Sequence, residues 1–482
     1  MKRVAVIGGG ITGLAAAYYL HQRATEHGQE VAVTLFESAD RLGGKVVTDR
    51  TDDGYTVEGG PDSFVTDKPG CLNLCHELGL GGELIPANEI QRKIYVLHKG
   101  KLATLPAGFR LAIPTEFMPF ITTPLLSIFG KLRMGLELFV PRGSWKDDVS
   151  LAEFFGRRFG KECVDRLAGP LMAGIFVSDP YQMSMQGTFP SFVDMEQRHG
   201  SLIRAAQAAR KKPHQPNPKA AGRSMFNSLK RGLGSLIDTL AAQVKTTATV
   251  RTGVQVERLE RTGPRWTVHT PTGPLLVDEV ILAVPAYEAA RLIQPLHAEL
   301  ADMLAAIRYV STATVSLAYL RADVPLDLDG FGVLIPPNEK RKLIACTWSS
   351  VKFKHRAPPG SALLRGFVGG HHHEALAALP DAELVDLVRT EYRELFGILA
   401  EPLLTRIYRW PRANPQYDVG HPARVRQMEK LATDLPGLHL VGSPYHGIGM
   451  PDCIKSALRT VEFILPPPRK ATSRGTATGI KR

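Results

Sequence analysis

Apolar and polar positions along this chain follow two alternating periods, and each change of period marks an element. Residues 3–7 (RVAVI) form a short apolar run, suited to a strand buried on both faces. A glycine-rich turn follows, and residues 14–23, rich in Ala and Leu, predict a helix. Residues 31–36 (VAVTLF) predict a second strand, which ends at Glu37. Strand, turn, helix and strand in this order predict a βαβ unit in a mostly parallel sheet.

From about residue 66 to 210 the pattern turns helical, most clearly over 70–78, 124–139 and 151–159. Pro106, Pro114, Pro119 and Pro124 cut this segment into short pieces, as expected of an inserted helical domain. Residues 211–222 (KKPHQPNPKAAG) are polar, basic and proline-rich and predict a mobile loop. Strand-like runs return at 250–259, 265–269, 279–284, 312–320, 343–348 and 363–368. Residues 439–463 again read as strand, glycine turn and helix. No internal repeat is visible.

A length of 482 residues predicts two or three domains, and a 44% hydrophobic fraction is ordinary for a globular chain. The formal charge is +12, with excess cations in 204–231 and after Pro468. No base-stacking or groove-reading module accompanies them, so no nucleic-acid partner is expected. Attraction to an anionic substrate or to anionic lipid fits better, and residues 469–482 read as a solvated tail. The five cysteines (71, 75, 163, 346 and 453) are too scattered for a disulfide framework. Cys71 and Cys75, four apart, are expected on one face of a helix, as small buried residues.

The apolar run after Met1 belongs to the strand–turn–helix unit and not to a secretory leader, so a cytoplasmic protein is expected. Residues 111–129 are apolar but hold three prolines and Glu116, which does not suit a spanning helix. Contact with the inner face of a membrane is compatible with them. Three adjacent histidines, His371–His373, point in different directions; they read as a solvated loop, and no metal site is expected.

The chemistry sits in the glycine turns. Gly8, Gly9, Gly10, Ile11, Thr12 and Gly13 match G-x-G-x-x-G, a weak signal alone but meaningful between a strand and a helix. Gly8 permits the tight turn, Gly10 lets the backbone approach a pyrophosphate, and Gly13 lets helix pack on strand. The helix N-terminus offers free N–H groups and partial positive charge to phosphates. Glu37 can accept ribose hydroxyls and would repel a 2′-phosphate. Arg41, Leu42, Gly43, Gly44 and Lys45 resemble the second phosphate-facing turn of flavoproteins in the glutathione-reductase-like class. Residues 58–63 (EGGPDS) add a third glycine turn, and this order points to FAD over NAD. At the other end, residues 443–454 lead into a helix with Pro451 at its first turn. Its N-terminus, aimed at the flavin N1/C2 carbonyl, would stabilise the anionic reduced ring.

The expected architecture is α/β: a Rossmann-like FAD-binding domain of the glutathione-reductase-like or amine oxidase type, a mixed-sheet substrate domain and an inserted helical domain. The FAD-binding domain is expected over 1–67, 232–290 and 405–465, and the substrate domain over 68–86 and 291–404. The helical domain is expected over 87–210, a mobile basic loop over 211–231 and a disordered tail over 466–482.

With both ends in view, the sequence resembles the flavin amine oxidase superfamily, and within it the bacterial porphyrinogen oxidases. The stretches that carry the resemblance run from VAVIGGGITGLAAAYYL at 4–20 through RLGGKV (41–46), EGGPDSF (58–64) and IPT (113–115). Further matches are GPLMAGIF (169–176), ACTW (345–348), PQYDVGH (415–421) and GIGMPDCI (447–454). The resemblance implies FAD contacts at Gly8 through Gly13, Glu37, Ser38, Lys45, Gly60, Pro61, Asp62 and Ser63. It extends them to Val256, mainly through its backbone to adenine, to Trp410, and to Ile448, Gly449 and Met450. Val177 and Ser178 depart from the small residues, often glycine, that the family shows there.

The resemblance further implies six-electron oxidation of coproporphyrinogen III or protoporphyrinogen IX, with O2 as acceptor and H2O2 as product, in heme biosynthesis. It is compatible with hand-off of product to a ferrochelatase. Such chemistry asks mainly for a large apolar slot with cations at its rim for the propionates. Lys68 and Arg92 are the candidate rim cations, Ile175 and Phe176 the candidate walls, and no general base is identified. Competing readings are a flavin amine oxidase, a carotenoid desaturase-like enzyme and an FAD-binding protein without turnover. The oligomeric state is open.

Overall fold

The computed structural model describes residues 1–106, 109, 110, 113, 114, 117–145, 147–211 and 224–467. The calls on residues 111, 112, 115 and 116, on the loop 212–223 and on the tail 468–482 lie outside the described residues.

The apolar first strand, Lys2–Ile7, is the centre of a parallel five-stranded sheet. Val31–Phe36 and then Thr249–Arg251 lie on one side of it, Glu279–Leu282 and then Leu438–Leu440 on the other. Strand alternation sends Val4 and Val6 into one core and Ala5 and Ile7 into another, which is why the run has no polar interruption. The first core is closed by the helices Ile11–Glu26, Gly70–Glu77, Gly234–Thr247 and Met450–Ile464. The second is closed by Ala286–Ile293, Ala298–Ala305, His421–Ala432 and a three-stranded antiparallel sheet, Arg258–Thr262, Arg265–Thr270 and Gly273–Val277.

A seven-stranded mixed sheet stands beside this layer. Its order is Leu404–Pro415, Tyr309–Leu320, Ser361–Gly369, Leu343–Trp348, Gly330–Leu334, Lys93–His98 and Lys101–Thr104. All pairs are antiparallel except Gly330–Leu334 with Lys93–His98. One face buries Ala313, Val315 and Leu317 against Leu384, Val388 and Tyr392 of the helix Asp381–Phe396. The opposite face carries Thr314, Arg365, Phe367 and Trp410 toward the parallel-sheet layer.

Short helices between 117 and 211 form a third layer around Phe154, Phe155, Phe159 and Phe192. Ser127 and Ser150 cap two of them, accepting from Gly130 N at 3.0 Å and Glu153 N at 3.1 Å. Arg158, fully buried, bridges Glu137 and Glu196, which are also fully buried. Removing one member of such a group would strand a buried charge.

Sheet membership redraws the expected boundaries. Lys93–His98 and Lys101–Thr104, assigned with the helical segment, are the last two strands of the mixed sheet, with Lys101–Thr104 at its edge; each is too short for its alternation to announce a sheet. Leu404–Pro415, assigned with the FAD-binding residues, is the opposite edge of that sheet. Gly70–Glu77 and Ala298–Ala305, assigned with the substrate domain, pack on the parallel sheet, not with the mixed one. Phe226–Leu229, expected inside a mobile loop, is a strand between Phe64–Val65 and Leu84–Pro86, because Phe226 and Leu229 have apolar partners there. The single strand expected at 250–259 is two strands in two sheets, broken where Gly253 takes φ +67°. His371–His373 belong to a helical turn, and His371 Nε2 lies 3.2 Å from Asp179. All five cysteines are buried and unpaired, with Cys71 and Cys75 on one helix.

Candidate cofactor and active site

Three glycine turns are stacked where the central strand Lys2–Ile7 of the parallel sheet ends. In the first, Gly8 has φ +108°, and a Cβ there would lie 2.5 Å from the Ala283 carbonyl oxygen. A Cβ on Gly13 would overlap the Gly8 carbonyl, so the helix can approach the turn only with glycine. Gly10 differs: its φ is −72°, and a Cβ would find only Gly44 Cα at 4.0 Å. The protein's own packing therefore leaves the space over Gly10 open. Gly10 also caps the first helix without a side chain, and the N–H groups of Thr12 and Gly13 have no partner among the described residues. Glu37 holds the outer edge, accepting from Gly9 N at 2.7 Å and Ala39 N at 2.8 Å, with Ser38 Oγ at 3.3 Å. Those bonds leave carboxylate lone pairs available for hydroxyl donors.

The second turn rests on the first. Gly43 N donates to Gly9 O at 2.8 Å, and Gly43 and Gly44 take φ +103° and +55°. Arg41, exposed, donates to Gly44 O at 2.6 Å. The Lys45 side chain is buried and its ammonium donates to Ala413 O; burial lowers its pKa. A Cβ on Gly60 would overlap the Lys45 carbonyl, which brings the third turn onto the second.

Residues distant in sequence fix that third turn. Gly59 O accepts from Trp410 Nε1 at 2.9 Å, Arg365 at 3.0 Å and Thr314 Oγ1 at 3.2 Å. Gly60 O accepts from Arg365 at 2.6 Å. Asp62 is held bidentately by Lys352 Nζ at 2.8 and 2.9 Å and accepts from Ser63 Oγ at 2.7 Å. Burial alone would push the Asp62 carboxyl up, but Lys352 and Arg365 outweigh it and hold it at about 2. The side chains of Asp62 and Ser63 thus face each other and Lys352, and only their backbone N–H groups, like that of Gly60, lack a partner among the described residues. Glu58 is buried too: burial raises its pKa against the pull of Arg356, 3.5 Å away, and it caps the helix Gly234–Thr247 by accepting from Leu233 N at 2.8 Å.

The C-terminal turn meets this stack from the other side. Tyr417 pins it, donating to Ser443 O at 2.6 Å and accepting from Gly447 N at 2.8 Å. Its ring stacks on His421 with centroids 3.9 Å apart. His421 Nε2 lies 3.1 Å from Tyr445 O, and burial lowers its pKa from 6.5 to about 4. The helix Met450–Ile464 starts at Gly449 with no side-chain cap and Pro451 in its first turn. The N–H groups of Ile448, Gly449 and Met450 have no partner among the described residues. Two uncapped helix N-termini therefore serve one region, since the first and last helices pack on each other.

The candidate substrate residues are not brought together. Lys68 pairs with Asp452 at 2.7 Å, at the start of the last helix. Arg92 pairs with Glu89 at 3.3 Å and is 72% exposed. Phe176 packs edge-to-face on Phe189 in the helical core. The Ile175 side chain lies outside the described residues. The helix Gly169–Phe176 lies against the mixed sheet, where a Cβ on Gly174 would meet Leu334 at 2.7 Å. Val177 has φ +55° and abuts Gly370; such a conformation costs a β-branched residue about 1–3 kcal/mol. Val256 is buried, its carbonyl accepts from Arg291 at 2.8 Å, and its N–H has no partner among the described residues.

The chain matches the family model for flavin containing amine oxidoreductase over residues 11–465. The protein belongs to this flavin-containing family. It is 36% identical to coproporphyrinogen III oxidase of Bacillus subtilis, over 96% of this chain and 98% of that one. It is 30% identical to protoporphyrinogen oxidase 1, chloroplastic, of Arabidopsis thaliana, over 94% of this chain and 86% of that one. A solved structure from Exiguobacterium superposes with a TM-score of 0.85 at 33% identity, covering 96% of this chain and 98% of that one.

FAD is the cofactor of this flavoprotein, and its residues suit that cofactor. The open space over Gly10, the two uncapped helix ends and the free N–H groups of the third and fourth turns supply the backbone donors that a dinucleotide needs. Sequence alone missed Arg365, Thr314, Lys352, Tyr417 and Glu58 as supports of the turns. One signal was present: an arginine inside the apolar strand run LLRGFV is a buried cation that needs partners.

Two outcomes are expected. Gly10→Ala, allowed by the backbone, leaves the thermal unfolding of the flavin-free protein unchanged, but fluorescence titration finds FAD bound at least about tenfold more weakly. His421 stays neutral when folded at pH values where it gains a proton unfolded. Urea-unfolding stability is therefore full above pH 6.5 and declines toward pH 4, and His421→Asn flattens that decline.

Proposed function

We propose that this flavoprotein is a porphyrinogen oxidase that converts coproporphyrinogen III to coproporphyrin III, and protoporphyrinogen IX less well, within heme biosynthesis. Each turnover removes six hydrogens, and three O2 become three H2O2. The observation that carries this proposal is the end-to-end similarity to the Bacillus subtilis coproporphyrinogen III oxidase, which spans all three layers of the fold. Bound FAD supplies two-electron redox chemistry that no side chain of the chain can provide.

The chain's own part is placement. Leu334, Ala345 and Phe367 share one face of the mixed sheet by register, under the helix Gly169–Phe176, and give a flat macrocycle an apolar wall. Packing of that helix on the sheet keeps water from the wall. Lys68, half exposed, and Arg92 are the proposed partners of the propionates. No carboxylate or histidine is assigned as a general base; protons lost from nitrogen and carbon can pass to solvent as the macrocycle tautomerises.

The test is anaerobic mixing of the purified holoprotein with each porphyrinogen, followed by air. Bleaching of the flavin bands, then porphyrin fluorescence and peroxide in air, is the expected result, faster with coproporphyrinogen III. A flavin bleached by neither porphyrinogen would sink the proposal and move the case to amines, polyenes or binding without turnover.

A second proposal concerns location. Ile128, Phe129, Leu132, Leu136 and Phe139 recur at helical spacing and are all more than half exposed, with Met118 nearby and Lys131 and Arg133 between them. Among the described residues no helix is long and apolar enough to cross a membrane. We propose that this ridge rests in the interface of an anionic bilayer. Phe129→Glu with Leu132→Glu should cut co-sedimentation with phosphatidylglycerol vesicles several-fold at unchanged flavin content; wild-type vesicle binding by that variant would refute it.

A further inference from the structure

Three donors converge on one carbonyl oxygen at the third glycine turn: Arg365, Thr314 and Trp410 all bond to Gly59 O. Arg365 also bonds to Gly60 O at 2.6 Å. A carbonyl has two lone pairs, so this one is fully engaged. Among the described residues there is no cis peptide bond, and across a trans peptide the C=O and the following N–H point in opposite directions. Pulling Gly59 C=O toward the mixed sheet therefore turns Gly60 N–H away from it, where the described residues offer no acceptor. The residue after Gly60 is Pro61, which has no N–H to offer. Gly60 N–H is thus the donor that this clamped peptide presents, ahead of the unpartnered N–H groups of Asp62 and Ser63.

The charge behind this peptide has a sign. Lys352, Arg356 and Arg365 face Glu58 and Asp62, three cations against two carboxylates, all largely buried. Arg365 is 4% exposed, lies over the Phe367 ring at 4.7 Å, and its Nε has no hydrogen-bond partner. A cation bonded to a carbonyl polarises the peptide and makes the adjoining N–H a stronger donor.

We propose that Arg365 is a positioning residue for the cofactor: by clamping the Gly59 and Gly60 carbonyls it aims and strengthens the Gly60 N–H as a hydrogen-bond donor to the flavin ring, tightening FAD binding and easing flavin reduction. It acts through the peptide and does not touch the substrate. The proposal rests on the FAD cofactor alone and stands whichever substrate is oxidised.

The test is made on the holoprotein without substrate, by measuring the flavin reduction potential against a reference dye and the FAD dissociation constant. Arg365→Met should weaken FAD binding about tenfold, the loss expected for charge-assisted bonds, and lower the potential. Arg365→Lys should recover part of both, since an ammonium keeps the charge but not the fork. The control is Arg356→Met: Arg356 is buried in the same group but bonds to the carbonyls of Leu229 and Lys230. It should lower the unfolding temperature and shift potential and affinity clearly less than Arg365→Met does, since Arg356 bonds to neither carbonyl of the third turn. Wild-type potential and FAD affinity in Arg365→Met, or an equal shift in Arg356→Met, would overturn the proposal. Should Arg365→Met not fold, Arg365→Lys, which keeps a cation but not the fork, decides. A shift in the same direction supports the clamp, and an unchanged potential overturns it.

Discussion

A methyl group at Gly13 would overlap the Gly8 carbonyl, and one at Gly60 would overlap the carbonyl of Lys45. In both places backbone lies directly on backbone with no side chain between. Side chains would space the three turns apart and separate their N–H groups. With glycine, the turns from Gly8, Gly43 and Gly59 close up into one surface, and the first helix starts at its edge. The remaining architecture keeps this surface in register. The parallel sheet fixes the first turn, Ile237 packs against Gly43, and the mixed sheet reaches across to hold the third.

The buried charges follow from that reach. Glu58 and Asp62 flank the third turn, and taking two carboxylates out of water is costly unless they are paired and hydrogen-bonded. Lys352, Arg356 and Arg365, all from the mixed-sheet segment, meet them. Each pair is weak evidence for stability, because desolvation offsets most of the attraction. What the pairs supply is specificity of docking: a slip of the mixed sheet by one residue would bury several charges without partners.

Local signals were legible in the sequence, and distant ones were not. Gly8 through Gly13 could be read because strand, turn and helix are contiguous, and Glu37 because it closes the next strand. The open space over Gly10, by contrast with the crowding at Gly13, separates a glycine kept for a ligand from one kept for packing. Nothing in EGGPDSF announces that Gly59 O would be met by Arg365, 306 residues away, or that Asp62 would be met by Lys352. Lys68 and Arg92 were chosen for charge alone, and the folded chain gives each a nearby carboxylate. The strand expected at 250–259 failed at Gly253, where a positive φ turns the chain into a different sheet. Periodicity could not see that turn, because both halves alternate correctly.

The order of strands in the parallel sheet has a consequence for how the molecule is made. Lys2–Ile7, made before the other strands of this sheet, ends at the centre, and the edge strand Leu438–Leu440, on the far side of Glu279–Leu282, is made after all of them. The last helix, which packs on the first, is not complete until Ile464. Until then Ile281 and Val441 have no cover on that side, and the second of the two helix ends is missing. The cofactor cradle therefore closes only once the helix Met450–Ile464, which follows every other described element in the chain, has been made. Until then the nascent chain carries an unfinished sheet with an open hydrophobic edge, the state in which non-local folds are most exposed to aggregation.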